Sequence, residues 1–389
     1  MPEYLLRQRS DKVISEKTQR LCAKVLFWSF VSQLLFTIIK RLLVATPYGT
    51  IIAAILAFPY LALQIVELLA TREIRLNKPI TLAYIVAITL YIISYCTGLP
   101  LEKFIFYMPQ TLYGLTLLYI TYNIKNLNIL YDEFSNHSYL IALISIFIIF
   151  VDRNINAYNM HFSYILSIAL YFDTVNFFKK KQIKYICLVL LEIGLILIYG
   201  SRGPVLCYAI FLMLYILLGN KRIFPKVALS TLIAIASFNI DKILGTIESL
   251  VSKTSMNSRT INLLLQDASH DSGRSMIAEN CWQLINEHAG TGLGIAGQFK
   301  YMEEYPHNFF LDMFLHWGII IGSVLSIYVL SIIIRAYIQG KTNERTLLLI
   351  FICYGFIVLF FSGTYLTFDG FFILLGLVYN IRNKKRKSR

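Results

Sequence analysis

Charged residues are scarce in this sequence, and acidic ones are the scarcest. Charged side chains make up 15% of the 389 residues, 22 acidic against 36 basic, while 57% of the residues are hydrophobic. Soluble domains carry about 25% charged residues, so this composition excludes an ordinary soluble protein and indicates the membrane class. The basic residues lie in short clusters between apolar runs, which is typical of membrane loops and argues against nucleic-acid binding.

Motifs for metal binding and thiol redox chemistry are missing as well. The six cysteines are scattered, mostly inside apolar runs, without a C-x-x-C pair, so we interpret them as small hydrophobic residues. No H-E-x-x-H or D-x-D motif occurs, and His270, His288 and His307 lie far apart in the chain. We therefore expect neither a metal site nor a cofactor. No small-residue cleavage site closely follows the first apolar run, which predicts an uncleaved first span.

Long hydrophobic runs dominate the sequence instead. A helix needs about 20 apolar residues to cross the hydrocarbon core, and twelve segments are candidates. They lie at approximately 22–39, 48–69, 79–97, 104–124, 138–151, 160–178, 184–200, 204–219, 225–240, 309–334, 346–363 and 368–381. The predicted fold is all-α, a polytopic transmembrane helical bundle of about 12 spans. Glu67, Asp173 and Glu192 stand out as ionisable residues within these spans, and their cost in lipid predicts that they face the bundle interior or lie near an interface.

The distribution of basic residues predicts the orientation of the bundle. With a cytoplasmic N-terminus, the inner segments carry 26 of the 36 Lys and Arg residues and the outer segments carry 10. This bias predicts that both termini are cytoplasmic. Residues 1–240 then hold helices one to nine, and 241–308 form one long extracytoplasmic loop containing amphipathic helices. Residues 309–389 hold helices ten to twelve and a basic cytoplasmic tail.

Arg202 is the first candidate for an anion site on the outer side. It follows Gly200-Ser201 and precedes Gly203-Pro204, where the next span begins. A guanidinium beside the free N–H groups and positive dipole end of a helix N-terminus can bind phosphate. The alternative is an interfacial anchor that reaches the lipid headgroups.

Two further arginines lie in the long outer loop. Apolar residues recur at helical spacing over 274–287, which predicts an amphipathic helix lying on the membrane or on the bundle. Arg274 falls in its first turn, where the dipole disfavours a cation unless an anion also binds there; a salt bridge to Asp267 or Asp271 is the alternative. Arg259 is a third candidate, or simply a solvated residue.

The stretch from Gly290 to Gly297 contains a literal G-x-G-x-x-G. No strand precedes it and no βαβ unit follows, so a dinucleotide site is not indicated. We interpret it as a turn that lets the backbone approach a ligand or a helix.

His307 opens the tenth predicted span at its outer end. The dipole at a helix N-terminus disfavours a charged imidazole, so His307 should be neutral near pH 7 and able to accept a proton, as a general base must. A structural hydrogen-bonding role is the alternative. Asn308 and Asp312 are four residues apart and share a helix face, so Asp312 is a candidate to line the same site.

The combination of these motifs resembles the bacterial O-antigen polymerase and ligase superfamily. The resemblance covers roughly residues 195–325. It is carried by Gly200-Ser201-Arg202-Gly203, by Arg274 with the Trp282, Gly292 and Gly294 region, and by His307-Asn308 with Gly318 and Gly322 downstream. The sequence departs from the family pattern in that Gly322 follows Gly318 by four residues instead of three.

The resemblance implies a polysaccharide polymerase in the bacterial cytoplasmic membrane. Such a glycosyltransferase joins undecaprenyl-pyrophosphate-linked oligosaccharide repeat units of an O-antigen or a capsule on the outer face, without metal. Arg202 and Arg274, with Arg259 as a weaker candidate, would hold the pyrophosphate, and His307 would activate the acceptor hydroxyl. Membrane lipids are implied partners, and a chain-length regulator stays open. The alternatives are an O-antigen ligase that transfers glycan to lipid A core or another acceptor, and a non-enzymatic transporter of lipid-linked sugars.

Overall fold

The described residues of this computed structural model form helices joined by turns, without a strand. They are residues 14–44, 46–74, 78–151, 159–199, 202–219 and 274–387. The helices are α1 Glu16–Leu42, α2 Gly49–Ala57, α3 Pro59–Ala70, α4 Lys78–Cys96, α5 Leu101–Asn123, α6 Leu127–Val151, α7 Met160–Lys180, α8 Ile183–Tyr199, α9 Arg202–Gly219, α10 Arg274–Glu287, α11 Phe309–Gln339, α12 Thr342–Phe351 and α13 Asp369–Lys387. Short helical turns lie between α10 and α11, at Gly297–Lys300, and between α12 and α13, at Ile352–Phe356 and Ile357–Phe360. The prediction of an all-α fold is confirmed for this part of the chain.

Helices coincide with every predicted span except 225–240, which lies outside the described residues. Among the described residues, four helical segments are long and apolar enough to cross a membrane: Glu16–Leu42, Lys78–Cys96, Phe309–Gln339 and Thr342–Phe360. The bent pair α2 and α3 makes a fifth if it counts as one span. The described helices are therefore compatible with a membrane protein, and the count of about 12 spans stays a prediction.

Helix termini follow the polar residues that border the apolar runs. The Ser15 side chain accepts a hydrogen bond from the Thr18 N–H at the start of α1, and Asn159 does the same for Phe162 at the start of α7. Such caps supply acceptors for N–H groups that have no partner inside the helix. Lys179 and Lys180 occupy the last turn of α7, where cations are favoured by the helix dipole.

The core is built around α7, because this helix is buried on all sides over residues 162–176. A helix buried all round must be surrounded by other helices, and α1, α6, α8 and α9 pack against α7. By contrast, α2, α3, α4 and α11 expose many large apolar side chains. A broad exposed apolar surface of this kind is rare in soluble monomers and suits contact with lipid.

Three predicted spans are not continuous α-helices. The run at 48–69 bends by 48° between α2 and α3, because Pro59 begins the second helix and lacks a backbone donor. The run at 346–363 passes from α-helix to a π turn at Ile352–Phe356 and a 3-10 turn at Ile357–Phe360. The run at 309–334 is interrupted at Gly318, which has φ 72° and ψ 169°. The last break positions the candidate site.

Candidate active site at a broken helix

The loop that precedes α11 packs into the break at Gly318. In an unbroken helix, the Leu315 and His316 carbonyls would accept from the residues four positions later. Three backbone bonds to the loop replace this pattern, given as donor to acceptor: Leu293 N to Leu315 O (2.6 Å), Gly294 N to His316 O (3.2 Å) and Ile319 N to Ala289 O (3.0 Å). Irregular backbone inside an apolar bundle is tolerated when its polar groups find protein partners in this way.

Glycine is required on both sides of this contact. A Cβ on Gly292 would lie 2.4 Å from the Gly318 nitrogen, and a Cβ on Gly318 would lie 2.8 Å from the Ala289 oxygen. Both glycines also have a positive φ, 67° for Gly292 and 72° for Gly318, a backbone conformation that residues other than glycine rarely adopt. The expectation that Gly290 to Gly297 lets backbone approach a ligand or a helix is met by the approach to α11.

The described part of the chain resumes with helix α10, Arg274–Glu287, which lies on the bundle. Its buried face consists of Ile277, Cys281, Leu284 and Ile285, which cluster with Leu311 and Leu315 of α11. This packing holds α10, the helix that carries Arg274, against the part of α11 that precedes the break. Asp267 and Asp271, the alternative partners of Arg274, lie outside the described residues.

His307 lies one residue before the cap of α11, in a left-handed conformation with φ 53°. Its ring centroid is 4.3 Å from that of Tyr305. The Nδ1 atom is buried and has no hydrogen-bond partner among the described residues. Left-handed backbone in a residue other than glycine stores strain and is enriched at functional sites. An unused ring nitrogen on such a residue is a candidate proton acceptor.

The neutral state expected for His307 agrees with its environment, although the main cause differs from the one predicted. Burial lowers the pKa of His307 from 6.5 to about 4, and the Arg274 charge lowers that pKa further in the same direction. Desolvation is the larger cause, because burial disfavours the charged imidazole. The Arg274 charge thus acts electrostatically on His307.

Asn308 and Asp312 have different surroundings, although both were candidates to support this site. The Asn308 side-chain oxygen caps α11 by accepting from the Phe310 and Leu311 N–H groups, at 2.9 and 3.3 Å. Asp312 is 2% exposed and accepts a hydrogen bond of 2.5 Å from the Thr364 hydroxyl. Asn308 thus shapes the first turn, whereas Asp312 points into the protein interior.

Beside Asp312 lies a buried polar network centred on His316, a residue that the sequence analysis did not single out. The Nδ1 of His316 is 2.8 Å from the Tyr365 hydroxyl, and its Nε2 is 2.9 Å from Gln298 Oε1. Asp312 Oδ1 is 3.7 Å from the same Nε2, which is too long for a hydrogen bond. A single histidine in an otherwise apolar run, four residues after an aspartate, was the available signal, because such residues are costly unless paired.

The network specifies the tautomer of His316. The Trp317 indole can only donate, and its Nε1 donates to the Tyr365 oxygen at 3.0 Å. The single Tyr365 proton is then available for Nδ1 of His316, which leaves the ring proton on Nε2 for Gln298. His316 therefore joins α11, the glycine-containing loop and the turn before α13 through a neutral ring.

Two lysines add positive charge to the loop that leads to His307. Lys300 donates to the Thr97 hydroxyl at 2.9 Å, and burial lowers its pKa. Lys103 donates to the Glu303 carbonyl at 3.4 Å, and its Nζ lies 5.0 Å from the centre of the Phe299 ring. Lys103, in the first turn of α5, and Lys300 thus both add positive charge to the loop between α10 and α11.

Two further predicted site residues are Arg202 and Arg259. The backbone of Arg202 belongs to α9. Arg259 lies outside the described residues. Among the described residues, no group of three His, Cys, Asp or Glu side chains could hold a metal ion.

Comparisons of the chain with protein-family models, with curated proteins and with solved structures find no match. The fold and the site thus define a class and no more: an all-helical protein with several apolar helices and a polar site beside a broken helix.

Proposed function

We propose that this protein is an integral-membrane polysaccharide polymerase. It joins undecaprenyl-pyrophosphate-linked oligosaccharide repeat units of an O-antigen or capsular polysaccharide on the outer face of the bacterial cytoplasmic membrane. The observation that carries the proposal is the electrostatic interaction of Arg274 with His307, in which the arginine charge lowers the pKa of the imidazole. Arg274 supplies a fixed positive charge, and His307 supplies a neutral ring nitrogen, Nδ1, that has no hydrogen-bond partner among the described residues.

The proposed reaction uses these two groups on opposite ends of the bond that breaks. The acceptor hydroxyl oxygen attacks the anomeric carbon of the donor sugar, and the bond from that carbon to the pyrophosphate oxygen breaks. Undecaprenyl pyrophosphate leaves with the bonding electrons, stabilised by Arg274 and Arg202, with Arg259 as a weaker third. The hydroxyl proton moves to His307 Nδ1. No metal enters this scheme.

Binding of the donor pyrophosphate would also bring the pKa of His307 closer to the value that a general base needs. A general base works best when its pKa is near the operating pH, whereas the pKa of His307 is about 4 next to Arg274. A pyrophosphate bound to Arg274 places negative charge beside the imidazole and raises its pKa. The base then gains strength only when the donor is bound, which limits unproductive protonation of the empty site.

The test is synthesis with purified protein. Incubation with lipid-pyrophosphate-linked repeat units, without another acceptor, should give a ladder of products that differ by one unit. Product formed only when lipid A core or another acceptor is added would identify a ligase instead. If neither condition gives product while the protein is folded, the assignment to glycan transfer is wrong.

A second candidate function is transport of the same lipid-linked sugars without chemistry. It is favoured by the helix breaks at Phe58 and Gly318, since discontinuous helices form substrate sites in many transporters. Cells that lack the protein distinguish the two functions. Single repeat units exposed outside indicate lost polymerisation, whereas units retained inside indicate lost transport.

A further inference from the structure

Two carboxyl groups meet inside the helical bundle, away from the candidate active site. Asp173 of α7 and Glu192 of α8 are each 0% exposed, and their carboxyl groups lie close enough to interact electrostatically. Each lies more than one helical turn from either end of its helix. Buried ionisable residues in apolar bundles are costly and mark sites with a function more often than not.

Four helices surround this pair with polar groups. The Ser138 hydroxyl of α6 donates to Asp173 Oδ1 at 2.6 Å. From α9, Tyr208 faces Glu192, and its hydroxyl lies 2.9 Å from that of Thr174. The sequence places these residues in four different apolar runs, so only the packing brings them together.

Within the described ranges, the two carboxyl groups lack a full set of hydrogen-bond donors and a neutralising charge unless one of them is protonated. Asp173 Oδ2 and both Glu192 oxygens are buried and find no hydrogen-bond donor in the described part of the chain. Lys180 is the cation that acts on Asp173 electrostatically, but its Nζ donates to the Tyr185 hydroxyl at 3.1 Å. Two carboxylates in contact repel each other strongly unless one of them is protonated.

We infer that Asp173 and Glu192 form a proton-binding site that holds one shared proton at neutral pH. Glu192 carries the proton and donates it to Asp173, while Ser138 donates to the other Asp173 oxygen. The shared proton links α7 to α8 at the centre of the bundle. The site is independent of the glycan chemistry proposed for Arg274 and His307.

Infrared spectroscopy of the full-length protein in lipid nanodiscs tests this inference. The wild type should show the carbonyl stretch of a protonated carboxylic acid at neutral pH, and Glu192→Gln should lose that band from the difference spectrum. Glu102→Gln, which changes an exposed carboxylate of α5, should leave it unchanged. A band that is equally strong in wild type and Glu192→Gln would overturn the inference.

A second measurement avoids dependence on the variant, which removes a buried group and could fold poorly. Wild-type protein with carboxyl-labelled glutamate should show a protonated acid band shifted by the isotope. Spectra in which every labelled glutamate is an ionised carboxylate at neutral pH would contradict the shared proton directly. Because this readout involves no glycan, its failure would leave the polymerase proposal intact.

Discussion

Gly292 and Gly318 pack backbone against backbone, so closely that neither can carry a side chain. A Cβ on Gly292 would approach the Gly318 nitrogen to 2.4 Å, and the φ of Gly292 is 67°. This contact connects the loop after α10 to the break in α11. Arg274 belongs to α10, and His307 lies one residue before the cap of α11. The contact between the two glycines therefore helps to hold these two residues in place relative to each other.

Gly292→Ala should therefore destabilise the protein and abolish activity. The backbone clash and the positive φ together should cost at least about 2 kcal/mol, measured as the loss of unfolding free energy in detergent. Gly290→Ala is the matched control, because a Cβ there meets nothing within 4 Å. If the two variants proved equally stable, the close packing described here would be wrong.

Substitution of His307 should lower the rate of the reaction without changing the stability of the protein at neutral pH. Asparagine tolerates left-handed backbone better than alanine does, so His307→Asn should keep the turn at φ 53° while removing the proton acceptor. We expect the rate of polymer formation to fall about 10²- to 10⁴-fold, with unchanged thermal unfolding. Full-length product at the wild-type rate would eliminate His307 as the base.

Removal of the Arg274 charge should change both the donor affinity and the titration of His307. Arg274→Gln should raise the pKa of His307 above about 4, because the Arg274 charge lowers it, but not to 6.5, because burial is the larger cause. NMR of labelled histidine measures this shift. Arg20→Ala, which removes an exposed arginine paired with Glu16 at 2.6 Å, should leave the His307 titration as it is.

The depressed pKa of His307 also predicts how stability depends on pH. The unfolded chain binds a proton at His307 below about pH 6.5, whereas the folded protein does so only below about pH 4. The contribution of His307 to stability is thus fully present above pH 6.5 and is lost as the pH falls towards 4. Denaturant unfolding of wild type and His307→Asn should therefore agree near pH 7 and diverge towards pH 4, where the wild type alone loses this contribution.

The sequence predicted the helices well because apolar runs and capping residues are local signals. The helical segments and the buried face of α10 both follow from the spacing of apolar residues. The break at Gly318 could not be predicted this way, since no proline interrupts the run. The break depends on hydrogen bonds from the Leu293 and Gly294 N–H groups to carbonyls of α11. These are tertiary contacts between separate segments of the chain.

The candidate site was predictable to a similar extent. His307 and Arg274 were identified because helix N-termini and cationic residues follow sequence rules, whereas the network around His316 depends on Gln298 and Tyr365 from other segments. The hydrogen bond of Asp312 to Thr364 was not predictable either, because sharing a face with Asn308 does not tell which neighbour that face contacts.

Tyr365→Phe should show how strongly this network holds the broken helix. The substitution removes the hydroxyl that contacts both His316 and Trp317, leaving the buried Nδ1 of His316 and the partly buried Nε1 of Trp317 without that partner at a cost of about 1–3 kcal/mol. Tyr301→Phe changes a tyrosine that is 56% exposed and should cost little. A Tyr365→Phe protein as stable as wild type would mean that the network contributes nothing to folding.

The sidedness of the bundle decides whether any of this chemistry can reach a lipid-linked glycan outside the cell. Glu303, between Lys300 and His307, and Thr342, at the start of α12, are both exposed and lie at opposite ends of α11. In a background without reactive native cysteines, Glu303→Cys should react with a membrane-impermeant maleimide in intact cells. Thr342→Cys should react only after the cells are opened, because the bias of basic residues predicts that its turn is cytoplasmic. The reverse pattern would put Arg274 and His307 in the cytosol, where outward-facing repeat units are absent, and the polymerase proposal would fail with it.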